Sequence, residues 1–88
     1  MKRMIRANNY HNSLVDYRVY ELEDDEELDC ILSTGDQDEA IEYARKYSKD
    51  NRVDTHIVAC PVDPDDPATK DYFEYDLQVE PYEVIWES

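Results

Sequence analysis

Side chains that could perform catalysis are few in this sequence. Its only histidines are His11 and His56, and its only cysteines are Cys30 and Cys60. A serine nucleophile needs a positioned base, and His11 lies in an asparagine-rich stretch, so no catalytic triad can be argued. Phosphate-binding loops need several glycines, and Gly35 is the single glycine of the chain. We therefore expect a protein that is not an enzyme and has no cofactor.

The spacing of possible metal ligands is also unfavourable. His56 and Cys60 are four residues apart on a predicted strand, which separates their side chains by about 13 Å, too far for one ion. Asp63, Asp65 and Asp66 share a short loop, as calcium ligands often do. The residues that follow them lack the ligand and the turn glycine of an EF-hand. We therefore predict no metal site.

The cysteines and the N-terminus indicate the compartment. Two cysteines thirty residues apart, with no CxxC motif, do not form a secreted disulfide framework. Cys30 is predicted to be a small buried residue, because Asp29 and the local negative field disfavour a thiolate. Residues 1–13 lack the apolar stretch of a signal peptide, and no run reaches transmembrane length. We expect a cytoplasmic protein.

The residues with the most informative chemistry are the carboxylates. The chain has 88 residues and a formal net charge of −14, and residues 21–44 contain eleven acidic and no basic side chains. Seven carboxylates fall within nine residues, and we predict that they contact a partner: Glu21, Glu23, Asp24, Asp25, Glu26, Glu27 and Asp29. A second predicted contact row lies on one face of a strand and consists of Tyr72, Glu74, Asp76 and Glu80. Its carboxylates are spaced by multiples of ~6.6 Å, about twice the axial rise per nucleotide of one DNA strand.

The elements that must position these residues can be predicted from their patterns. Strands over 14–22 and 28–33 form a hairpin with an acidic loop over 23–27. Asp36 and Glu39 have the spacing of a capping box, which predicts that a helix begins there. The buried stripe of that helix is predicted to be Ala40, Ile41, Ala44 and Tyr47.

The second half of the chain is predicted to be mainly strand. A third strand covers 55–60, and the prolines and aspartates of 61–69 predict an irregular loop. Alternation of apolar and polar residues predicts a fourth strand over 72–80, and a fifth follows over 82–86. We expect an α+β fold of order β-β-α-β-β-β, with a small mixed or antiparallel sheet and one helix packed on one face. Residues 1–88 should form a single domain, with a loosely ordered start over 1–13.

The charge predicts the class of partner. Nucleic acid and anionic membranes would be repelled, whereas a basic protein would be attracted and steered towards the acidic face. We therefore predict a stoichiometric inhibitor that occupies the basic surface of a nucleic-acid-binding protein. The alternative is an accessory protein that uses a tyrosine-rich sheet for homodimerisation or for a neutral partner, its acidity conferring solubility alone.

In size, charge and tyrosine content, the chain resembles the small acidic anti-CRISPR and anti-restriction proteins that phages and mobile elements encode against host defence. Residues 21–29 and 63–83 carry most of this likeness, which is one of overall character and includes no signature motif. Some members of those groups mimic DNA. The resemblance implies a cytoplasmic phage protein that inhibits a defence protein.

Overall fold

The computed structural model describes residues 14–88, except for the side chains of Tyr75 and Asp76. The strands are β1 (Val15–Glu23), β2 (Glu26–Thr34), β3 (Asp54–Pro61) and β4 (Val84–Glu87). The helices are α1 (Gln37–Asn51) and α2 (Pro67–Asp71), and a π-helical turn over Tyr72–Asp76 continues α2. The predicted α+β class is confirmed, with one strand fewer and one short helix more than expected. The predicted loose start over 1–13 lies outside the described residues.

All four strands form one antiparallel sheet in the order β2-β1-β3-β4. Alternate residues of β1 are buried, namely Val15, Tyr17 and Val19, and Tyr17 and Val19 pair with Ala59 and Ile57 of β3. These side chains form one face of the sheet and belong to the core. β3 is buried along almost its whole length, as expected of a central strand.

The β1–β2 hairpin is longer and its turn tighter than predicted. The pairing continues to Glu23 opposite Glu26, so that only Asp24 and Asp25 form the turn. Their φ angles are 51° and 65°, as the type I′ turn of a two-residue hairpin requires. The predicted five-residue loop is therefore wrong, because strand pairing satisfies backbone groups that an open loop would leave to water.

Helix α1 begins as its sequence predicts. The Asp36 side chain accepts hydrogen bonds from the backbone N–H groups of Asp38 and Glu39 at 3.0 and 3.2 Å. At its other end, Arg52 adopts a left-handed conformation and its N–H donates to the Ser48 carbonyl. The predicted stripe of Ala40, Ile41 and Ala44 is buried in the core, whereas Tyr47 is only half-buried.

Residues 67–77 fold differently from the prediction. Asp66 caps α2 by accepting from the Ala68 N–H at 3.0 Å, and Pro67 occupies the first turn, where it needs no donor. The predicted fourth strand is absent, because Phe73 and Leu77 share a face in a helix as well as in a strand. Both are buried in the same core cluster as Tyr17, and the Leu77 N–H donates to the Tyr72 carbonyl at 2.6 Å.

Neither helix in the described part of the chain combines the length and the apolar composition required to cross a membrane.

Candidate functional site

The strongest concentration of exposed charge is at the tip of the β1–β2 hairpin, which we call the hairpin tip and define as residues 23–26. All four of these residues are exposed carboxylates. Asp24 and Asp25 are central in the turn, so their side chains project from the end of a paired ribbon. The sheet thus presents this charge in a defined arrangement.

The hairpin tip is electrostatically unfavourable to the fold. Glu23 and Glu26 are directly opposite each other across the two strands, where like charges destabilise a sheet. Within residues 14–88, no lysine or arginine forms an ion pair with any of the four carboxylates. Aspartate also has a steric cost at positive φ that glycine does not have. Folding alone therefore does not account for the residues chosen here.

Glu27, the residue directly after the hairpin tip, contacts the central strand β3 of the sheet. Its Oε2 atom lies 2.8 Å from Nε2 of His56 on β3. The His56 ring is buried and makes an edge-on contact with Tyr20 at a centroid distance of 5.7 Å. This histidine, which the sequence shows to be too distant from Cys60 for a shared metal, is instead the partner of a carboxylate.

Glu21 faces the helix. The alternation that buries Val19 places Glu21 on the same side of β1, opposite Thr55 of β3. The Thr55 hydroxyl in turn donates to the Ala44 carbonyl of α1 at 3.3 Å, so Glu21 lies level with the middle of that helix. Because Tyr20 pairs with Cys30 and Leu22 with Glu27, the irregular segment that contains Asp29 lies beside Glu21. The two carboxylates therefore flank α1.

Two tyrosines of α1 lie next to these carboxylates. Tyr43 and Tyr47 are one helical turn apart, and their rings stack at a centroid distance of 6.0 Å and an interplanar angle of 24°. Loss of water around its hydroxyl raises the pKa of Tyr47, and the neighbouring Glu21 and Asp29 carboxylates raise it further. Tyr47 is predicted to lie in the buried stripe, and Tyr43 has no predicted role. Their i, i+4 spacing was the signal that could have identified the pair.

The second predicted contact row lies on a surface away from the hairpin tip. Glu74 and Glu80, with Glu83, surround an open cavity of about 740 Å³ whose floor includes Phe73 and Val79. They lie on a helical turn and the loop after it, so their predicted spacing along a strand is wrong.

The other two members of that row are not on this surface. Tyr72 is 4% exposed and belongs to the core, which leaves it almost no surface for a partner. The side chain of Asp76 lies outside the described part of the structure.

The two acidic groups are at opposite ends of the sheet. The Glu83 carbonyl accepts from the Ala59 N–H, and Ala59 pairs with Tyr17. Glu23 is six residues further along β1, which corresponds to about 20 Å. The two predicted contact groups are therefore separate surfaces of the molecule, about 20 Å apart.

The two cysteines lie on different strands and differ in exposure. Cys30 is exposed on the edge strand, so its predicted burial is wrong, whereas Cys60 is buried on β3. Both thiols are free, and β1 lies between their strands, which separates the backbones by roughly 10 Å, beyond the reach of a disulfide. Burial raises the pKa of Cys60, which lowers the nucleophilicity of this thiol at neutral pH.

Two of the three aspartates in the 63–66 loop have structural partners. The Asp63 side chain accepts from the Asp65 N–H at 3.1 Å, and Asp66 caps α2. Among the described residues, no three histidine, cysteine or carboxylate side chains converge as a metal site requires. No protein-family model, curated protein or solved structure matches this chain, so its role has to be inferred from its own residues.

Proposed function

We propose that the protein binds a basic, nucleic-acid-binding protein and inhibits it by occupying the surface that normally holds phosphates. The observation that carries this proposal is the hairpin tip. It holds four exposed carboxylates on a paired ribbon and has no ion-pair partner within residues 14–88. These charges do not stabilise the fold, and binding to cations on a partner would explain why they are present.

The physical basis of the binding is electrostatic. All 23 acidic residues lie within 14–88, and the net charge of −14 steers a basic protein towards the molecule. Phosphate-binding surfaces hold condensed or bound ions, and neutralisation by an opposite charge releases them, which makes the affinity strongly dependent on salt. Glu21 and Glu23 are two residues apart on one strand, so their side chains follow one another at about 6.6 Å on one face.

The acidic cavity around Glu74, Glu80 and Glu83 provides a second, separate contact. Its distance of about 20 Å from the hairpin tip suits a partner with an extended basic groove. The hairpin tip is the primary contact in this proposal, because its charges are consecutive and exposed.

The alternative, a tyrosine-rich sheet surface for homodimerisation or a neutral partner, has less support. Tyr17 and Tyr72, two tyrosines of the predicted strands, are buried in the core. Tyr20 is half-buried against His56. The exposed tyrosines Tyr43 and Tyr82 lie outside the strands, so the sheet itself offers little tyrosine surface to a partner.

The test compares two variants that each lose three negative charges. One neutralises the hairpin tip by Glu23→Gln, Asp24→Asn and Asp25→Asn. The control neutralises exposed carboxylates elsewhere, by Glu39→Gln, Glu42→Gln and Asp65→Asn. Each protein is immobilised, lysate is applied at low salt, and bound proteins are eluted with stepwise salt or with duplex DNA and identified by mass spectrometry.

We expect the wild type and the control to retain the same nucleic-acid-binding protein, which elutes at intermediate salt and is displaced by DNA. The hairpin-tip variant should retain much less of it. Equal retention by both variants would contradict a role for the hairpin tip. A partner that stays bound through high salt would favour the apolar interface instead.

A further inference from the structure

The flank of helix α1 beside the hairpin combines aromatic and acidic groups that the proposed function does not by itself require. We call Tyr43 and Tyr47 the tyrosine pair. Their stacked rings line an open cavity of about 270 Å³ on the helix surface, together with Lys46, Asp50 and Asn51. Pockets for complete small-molecule ligands usually start near 300 Å³, so this cavity holds a single side chain at most, and neither Glu21 nor Asp29 lines it.

Carboxylates stand on two sides of the tyrosine pair. Glu21 approaches from β1, as its pairing with Thr55 and the contact of Thr55 with α1 require. Asp29 approaches from β2, and Asp50 is one helical turn after Tyr47. An aromatic face bordered by carboxylates offers two separate attractions to one planar cation, a cation–π contact and a charge-assisted hydrogen bond.

Tyr43 is the exposed member of the pair. It is 38% exposed, so part of its ring is open to a partner. Tyr47 is half-buried and holds the inner position, so that the outer Tyr43 ring rests on it. The stacked rings thereby form a preorganised aromatic surface, which reduces the conformational entropy lost on binding.

We propose that the tyrosine pair, with Glu21, is the seat for an arginine side chain of the basic partner. A guanidinium stacks on an aromatic ring and presents a planar fork to a carboxylate, whereas the ammonium of lysine is a strongly hydrated point charge. Lys46 lines the cavity and repels a cation there, so the guanidinium is expected at the edge of the rings beside Glu21 and Asp29 and not inside the cavity. This inference rests on the proposed function and adds a preference for arginine over lysine.

The experiment uses nine-residue peptides of arginine only and of lysine only, which carry equal charge. Each is titrated into the wild type, Tyr43→Ala and Tyr43→Phe by calorimetry at moderate salt. We expect the wild type to bind the arginine peptide about 2–5-fold more tightly than the lysine peptide. Tyr43→Ala should lose this preference and retain affinity for both peptides, whereas Tyr43→Phe keeps an aromatic face and should retain the preference.

The outcomes separate the two proposals. If the wild type binds both peptides equally, or if Tyr43→Ala keeps the arginine preference, the arginine seat is refuted while binding to basic partners stands. If the wild type binds neither peptide, the proposed function fails and the seat fails with it. Thermal unfolding of each variant, followed by circular dichroism, verifies that the exposed substitutions leave the fold intact.

Discussion

Replacement of Asp24 and Asp25 by Asn-Gly should stabilise the fold and weaken partner binding. Both aspartates have positive φ, at 51° and 65°, and Asn-Gly is the preferred pair for this turn. Glycine at the second position removes a steric cost between Cβ and the backbone. The substitution also removes two charges from a tip where Glu23 and Glu26 already repel each other.

The expected gain can be estimated from these two contributions. Relief of the left-handed backbone at position 25 contributes about 1 kcal/mol, and the loss of like-charge repulsion contributes a few tenths of a kcal/mol more. The free energy of unfolding should therefore rise by about 1 kcal/mol. For a domain of this size, that corresponds to an increase of about 4–8 °C in Tm.

Urea denaturation of the wild type, Asp24→Asn/Asp25→Gly and Asp24→Asn/Asp25→Asn separates the two contributions. The second variant removes the same charges without glycine, so the difference between the variants measures the backbone term. At 1 M salt the Debye length falls to about 3 Å, and only the backbone term should remain. An Asn-Gly variant no more stable than the wild type would refute the reasoning, because the aspartates would then stabilise the turn themselves.

Three further predictions follow from individual residues. Asp36→Ala should lower the free energy of unfolding by about 1 kcal/mol through loss of the α1 cap, as urea denaturation would measure, and an unchanged midpoint would contradict the cap. Burial and the nearby Tyr72 hydroxyl raise the pKa of Tyr17, so the stability that its protonated form contributes should be present below pH ~10 and be lost above it. Urea midpoints at pH 8 and pH 11 should therefore differ more for the wild type than for Tyr17→Phe, and equal differences would contradict this prediction. A thiol reagent should modify Cys30 rapidly in the native protein and Cys60 only after denaturation. The native Cys30→Ser variant should therefore stay unlabelled, and rapid labelling of it would contradict this prediction.

The first half of the fold could be predicted because its signals are local. The Asp36 cap and the spacing of Ala40, Ile41 and Ala44 specify a helix from neighbours within two turns. The strand-forming residues of β1 and the β-branched run of β3 also indicated their elements, and the boundaries differ from those observed by one or two residues.

The hairpin was predicted in kind but not in detail. Five consecutive carboxylates suggested an open loop, because their charges repel one another. Pairing of Glu23 with Glu26 nevertheless continues to a two-residue turn. The backbone hydrogen bonds of the ribbon outweigh the side-chain repulsion, which water screens at an exposed tip.

The sequence alone determined that this protein is acidic, that its densest run of carboxylates lies in one hairpin, and that one amphipathic helix packs against a sheet. Each of these properties depends on residue types and on spacing within a few positions. Only the tertiary structure decided that Phe73 and Leu77 lie on a helical turn, since their spacing fits a strand equally well and burial against the core selects between the two. It also separated the two acidic groups to opposite ends of the sheet and brought Glu21 beside Tyr47. These distances depend on strand order and on which sheet face the helix covers, and both are set by the burial of apolar surface between residues far apart in the chain.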